Sequence, residues 1–102
     1  MSRHLLPNPD GAEPGTETVA GWDQPMKTYF LMINPPSGSD TEPVWLGRDQ
    51  GEFYTLEPFI QALAKHGVRL VDTLFAELYF DRDLGRSNTV TDWRSGEPVQ
   101  LA

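Results

Sequence analysis

Apolar and polar positions alternate along this chain in short blocks, separated by turn-forming residues. Leu56, Phe59, Ile60, Leu63 and Ala64 stand at i, i+3, i+4, i+7 and i+8, the spacing that lines one face of an α-helix. Thr55 suits an N-cap, Glu57 and Pro58 suit a first turn, and Gly67 supplies a stop. The spacing predicts a helix over Leu56–His66. Val71, Leu74, Phe75, Leu78 and Tyr79 repeat the pattern, with Asp72 as N-cap and Gly85 as stop, which predicts a second helix over Thr73–Asp83. Only Gly67 to Val71 intervene, so the helices are expected to be neighbours, either antiparallel or strongly crossed.

Strand-type blocks flank the helices. Met26–Ile33 (MKTYFLMI) is apolar on both faces and ends at Asn34-Pro35-Pro36, so it reads as a central strand. After the polar stretch Asn34–Pro43, Val44-Trp45-Leu46 reads as a short second strand closed by Gly47, and the two should form a hairpin with a loose loop. Arg86–Arg94 (RSNTVTDWR) is a β-type mixture broken by Gly96 and Pro98, expected to return beside Met26–Ile33. The order β-β-α-α-β predicts an α+β fold, a small and mostly antiparallel sheet with two helices packed on one face. The alternative is a helical hairpin carrying a two-stranded ribbon.

The first 21 residues read differently. Pro7, Pro9, Pro14, Gly11, Gly15 and Gly21 lie there among polar residues, and all 11 aromatics of the chain fall between Trp22 and Trp93. A stretch so poor in large apolar groups is not expected to offset its ordering entropy. Residues 1–21 are therefore expected to be a disordered tail, with His4-Leu5-Leu6 its only possible anchor. Residues 22–102 are expected to form a single small domain with a loosely ordered C-terminal end.

Composition narrows the function classes. At 102 residues the chain allows one hydrophobic core, and the absence of cysteine removes disulfides, thiolate metal sites and cysteine nucleophiles. Eight Lys plus Arg against 15 Asp plus Glu give a net charge of -7, which opposes phosphate backbones and anionic membranes. No apolar run is long enough for a membrane helix, and Leu5-Leu6 before Pro7 is no signal-peptide centre, so a cytoplasmic location is expected.

Candidate chemistry is sparse. Asp81, Asp83, Ser87, Thr89 and Asp92 fall near the spacing of a calcium loop, but Gly85 replaces a ligand, Arg86 replaces the turn glycine and two arginines oppose a cation. An ion-paired turn fits better. His66 falls in the last turn of a helix, where an imidazolium favours the dipole, and His4 falls in the tail. Tyr54, Glu52 and Asp49 cluster ahead of the first helix as solvated loop residues, and Gly47 with Gly51 matches no phosphate-binding spacing. No catalytic residue, metal site or cofactor is expected. Trp22 and Trp93 should close the core, whereas Trp45 with Phe53 and Tyr54 is a possible exposed aromatic patch of the kind enriched at interfaces. The preferred reading is a non-catalytic protein-interaction module or accessory subunit, self-associating or binding another protein. The alternative is a small enzyme or ligand binder with a pocket between helices and sheet that uses Tyr54, Glu52, Arg86 or Asp92.

Overall fold

A computed structural model describes all residues from 1 to 102. Eight elements follow in the order β1 (Arg3–Leu6), β2 (Glu17–Asp23), β3 (Thr28–Asn34), β4 (Val44–Leu46), α1 (Leu56–Lys65), α2 (Asp72–Asp83), β5 (Val90–Asp92) and β6 (Val99–Gln100). The strands form one six-stranded sheet in the order β4-β3-β2-β1-β5-β6. Every neighbouring pair is antiparallel except β1 with β5, which is parallel. The α+β class holds, but the sheet is larger than expected and mixed, and the third predicted strand pairs with β1 instead of with Met26–Ile33.

The main correction concerns the first 21 residues, which are ordered and central. The pairs His4↔Ala20 and Leu6↔Thr18 knit β1 to β2, and His4↔Thr91 places β1 beside β5. The prolines, Gly11 and Gly15 belong to the turn between two strands, and Gly21 lies within β2. Asn8 pins that turn, its Nδ2 donating to the Thr16 carbonyl at 2.8 Å while its Oδ1 accepts from the Thr18 hydroxyl at 2.8 Å. At the turn's tip the Glu13 carboxylate accepts from both Ser39 and Thr41 at 2.6 Å in the β3–β4 loop, which lowers its pKa below the usual carboxylate value.

Side-chain alternation then sets the layers. His4, Leu6, Ala20, Trp22, Tyr29, Leu31 and Thr91 share the face under the helices, as the strand register requires. Leu56, Phe59 and Leu63 of α1 and Leu74 and Leu78 of α2 close that core from above. Trp22 stacks edge-on to Tyr29, Tyr29 lies against Phe59, and the Tyr29 hydroxyl donates to the Leu78 carbonyl at 2.9 Å. Each such fully buried large side chain stabilises the fold by roughly 1.5–3 kcal/mol.

Both helices end in the same way. In α1, Val68 N–H bonds Leu63 O and Gly67 N–H bonds Ala64 O, with Gly67 at φ +74°. In α2, Arg86 N–H bonds Asp81 O and Gly85 N–H bonds Arg82 O, with Gly85 at φ +61°. These Schellman closures use glycine where a left-handed backbone is required. The predicted stops are met, but Thr55 makes no side-chain cap, and Asp72, the expected cap of the second helix, is its first residue, with Val71 at the N-cap. The second Schellman closure also sets Arg86 beside Asp81.

On the opposite sheet face no helix packs. Val19 and Phe30 are nevertheless buried there, and Gly21 allows it: a Cβ at position 21 would stand 3.0 Å from the Phe30 ring and 2.0 Å from the Ser2 carbonyl oxygen. No helix of the chain is long and apolar enough to cross a membrane.

Candidate functional site

Two features stand out once the layers are in place, a buried polar network and an exposed aromatic face. The network begins at His4, 3% exposed on β1, whose Nε2 lies 2.7 Å from Oδ2 of Asp81, 1% exposed on α2. Trp93, just beyond β5, donates its indole N–H to His4 Nδ1 at 2.9 Å. An indole N–H can only donate, so Nδ1 accepts and the ring proton sits on Nε2, from which it is donated to the carboxylate. Arg86 completes the network, its Nη1 lying 2.7 Å from Glu77 and 3.4 Å from Asp81 Oδ1. The Glu77 contact, followed by the Asp81 charge, raises the Arg86 pKa above its ordinary value. No buried side-chain nitrogen or oxygen is left without a partner.

A His–Asp pair at this distance is the arrangement that orients a general base. Here the second ring nitrogen, the one that would face a nucleophile, is taken by Trp93. The pair thereby joins three separate elements, β1, α2 and the end of β5. Above it, Glu77, Arg86, Thr89, Thr91 and Gln100 line an open polar recess of about 280 Å³ between α2 and the β5–β6 edge. Arg86, one of the polar groups expected in a pocket between helices and sheet, is in this recess. Asp92 faces the other side of the sheet, where Arg94 grips it at 2.9 Å and holds its pKa down to about 2. Asp81 and Asp92, the two ends of the calcium-like spacing, thus point to opposite faces.

The exposed feature is α2 itself. Leu74, Leu78 and Asp81 face the sheet, yet Phe75 (42% exposed), Tyr79 (44%) and Phe80 (43%) project from the other side. A surface helix ordinarily confines its apolar residues to one stripe, and α2 does not. Tyr54, 54% exposed in the loop before α1, joins this surface through Arg82. The guanidinium lies 5.1 Å from the Tyr54 ring and 5.6 Å from the Tyr79 ring, and its Nη1 donates to the Tyr54 carbonyl at 2.8 Å. Thr55, Leu56, Glu57, Phe75, Tyr79 and Arg82 frame a groove of about 470 Å³ between the start of α1 and α2.

The three residues singled out from the sequence are divided among locations. Tyr54 belongs to the α2 surface. Phe53 is partly buried and packs on Phe59 of the core. Trp45, 53% exposed, pairs with Met32 on the helix-free sheet face, under the guanidinium of Arg48 at 4.8 Å. The helical spacing groups Phe75 and Tyr79 with Leu74 and Leu78 on one apolar face, but only the two leucines are buried. The available signal was the excess: five large apolar residues in twelve cover more than one stripe. Comparison of the chain with models of protein families, with curated protein sequences and with solved structures finds no match to any of them.

Proposed function

We propose that this protein is a non-catalytic interaction module or accessory subunit that binds another protein through the outer face of α2. The observation that carries this reading is the helix with apolar residues on two faces and a cover on only one. Contiguous aromatic surface of this kind marks protein-binding sites, where tyrosine and phenylalanine anchor the contact. Arg82 supports it further, since holding Tyr54 and Tyr79 in place before contact reduces the entropy lost on binding. The engaged ring nitrogens of His4 speak against a catalytic use of the polar recess, and the net charge of -7 speaks against a nucleic-acid partner.

The test compares wild type with a Phe75→Ser/Tyr79→Ser variant, both tagged and expressed in the source cell at native level. Gentle size-exclusion of the extracts should place wild type in a complex well above its own 11.5 kDa and the variant at the free size. Identical elution of the two contradicts the reading.

A further inference from the structure

We infer that the occupant of the α2 face is a basic amphipathic helix of a different protein, not a second copy of this chain. The inference rests on the docking role proposed above and specifies the partner's chemistry. Asp72, Ala76, Tyr79 and Asp83 stand at i, i+4, i+7 and i+11 and so form one outward stripe, with Phe75 and Phe80 on either side. The small Ala76 at its centre lets another helix approach between the aromatic rings. At the two ends of the stripe are carboxylates, about 16 Å apart along the axis at 1.5 Å per residue. Glu57 adds a third beside the groove.

These acids are exposed and none is ion-paired, because the arginine–carboxylate pairs of the chain use only Glu77, Asp81 and Asp92. Of the nearby cations, Arg86 is paired with Glu77 and Asp81, whereas Arg82 keeps its charge against the Tyr54 and Tyr79 rings, so the face carries three unpaired carboxylates to one unpaired cation. Asp83 also lies in the last turn of α2, where a negative charge opposes the helix dipole, so helix stability gives no reason for it. A second copy packed antiparallel would bring Asp72 against Asp83, and one packed parallel would bring Asp72 against Asp72. Either arrangement juxtaposes like charges. A helix with an apolar stripe flanked by Lys or Arg instead meets the aromatics with its stripe and the carboxylates with its ends.

The probe is a labelled amphipathic peptide of about 18 residues, long enough for five turns, with a leucine stripe and lysine flanks. A sister peptide carries glutamate in place of every lysine. By fluorescence anisotropy the lysine peptide should bind wild type at least about tenfold more tightly than the glutamate peptide. Phe75→Ser/Tyr79→Ser should weaken it by at least about tenfold, while Asp72→Asn/Asp83→Asn should weaken it several-fold and flatten its salt dependence. Circular dichroism confirms that the variants keep their helices. Equal binding of both peptides, abolished by Phe75→Ser/Tyr79→Ser, overturns the basic partner and leaves the docking face standing. Sedimentation showing a wild-type dimer that the same variant dissolves overturns the inference in favour of a second copy. Lysine-peptide binding unaffected by the aromatic substitutions, or no binding by a monomeric protein, overturns both the inference and the docking role.

Discussion

His4 connects the N-terminal strand to α2 through Asp81 and to the end of β5 through Trp93. Removing it leaves a buried carboxylate whose remaining partner is Arg86 at 3.4 Å, and an indole N–H with no acceptor. His4→Leu should therefore lower the unfolding free energy by about 3 kcal/mol, the range for breaking a buried pair. Asp81→Asn keeps an acceptor oxygen for the imidazole and should cost less; urea unfolding compares the two. Tyr29 gives a second prediction at this scale. Burial pushes its phenol pKa up to about 12, above the ordinary value of 10.0. A raised pKa means that the folded state holds the proton longer, so this contribution is intact below pH 10 and is lost as pH rises toward 12. The urea midpoint of wild type should fall through that window, and Tyr29→Phe should reduce the fall. Neither role was legible in the sequence. A histidine four residues from the start shows no partner 77 positions away, and a tyrosine within MKTYFLMI shows burial without its bond to Leu78.

Among the elements, α1 and α2 were legible because period and stop glycine agreed within each of them. The first strands were not. Averaged over 21 residues, prolines and glycines outweighed the strand-type run Thr18-Val19-Ala20 that follows them. The parallel β1–β5 pair joins residues about 90 positions apart, a distance at which sequence pattern carries no pairing signal. Deleting residues 1–6 should unfold the protein, because it removes a central strand and the His4 network together. Hydrogen exchange should show the Arg3 amide, bonded to the Thr89 carbonyl at 2.8 Å, protected well beyond the exposed turn at Gly11. Rapid exchange throughout residues 1–21 contradicts the central placement of β1. Gly47 supplies a steric test: at φ +80° its missing Cβ would stand 2.0 Å from the Tyr29 carbonyl oxygen. Gly47→Ala should cost at least about 1–3 kcal/mol, the scale of a backbone forced into a sparsely populated region.

For the whole molecule, net charge and aromatic content act together. In the proposed docking role, a charge of -7 disfavours a second copy and favours a partner of opposite sign, with the aromatic surface of α2 as the contact area. The sequence showed both ingredients without showing that they meet on one face, since that depends on which side of α2 the sheet covers. The most direct measurement is an NMR titration of isotope-labelled wild-type protein with the lysine-flanked amphipathic peptide. The α2 account predicts amide shifts concentrated at Tyr54, Phe75, Ala76, Tyr79, Phe80 and Arg82, with the opposite sheet face silent. Shifts centred instead on Leu5, Met32 and Trp45, or none anywhere, would contradict it.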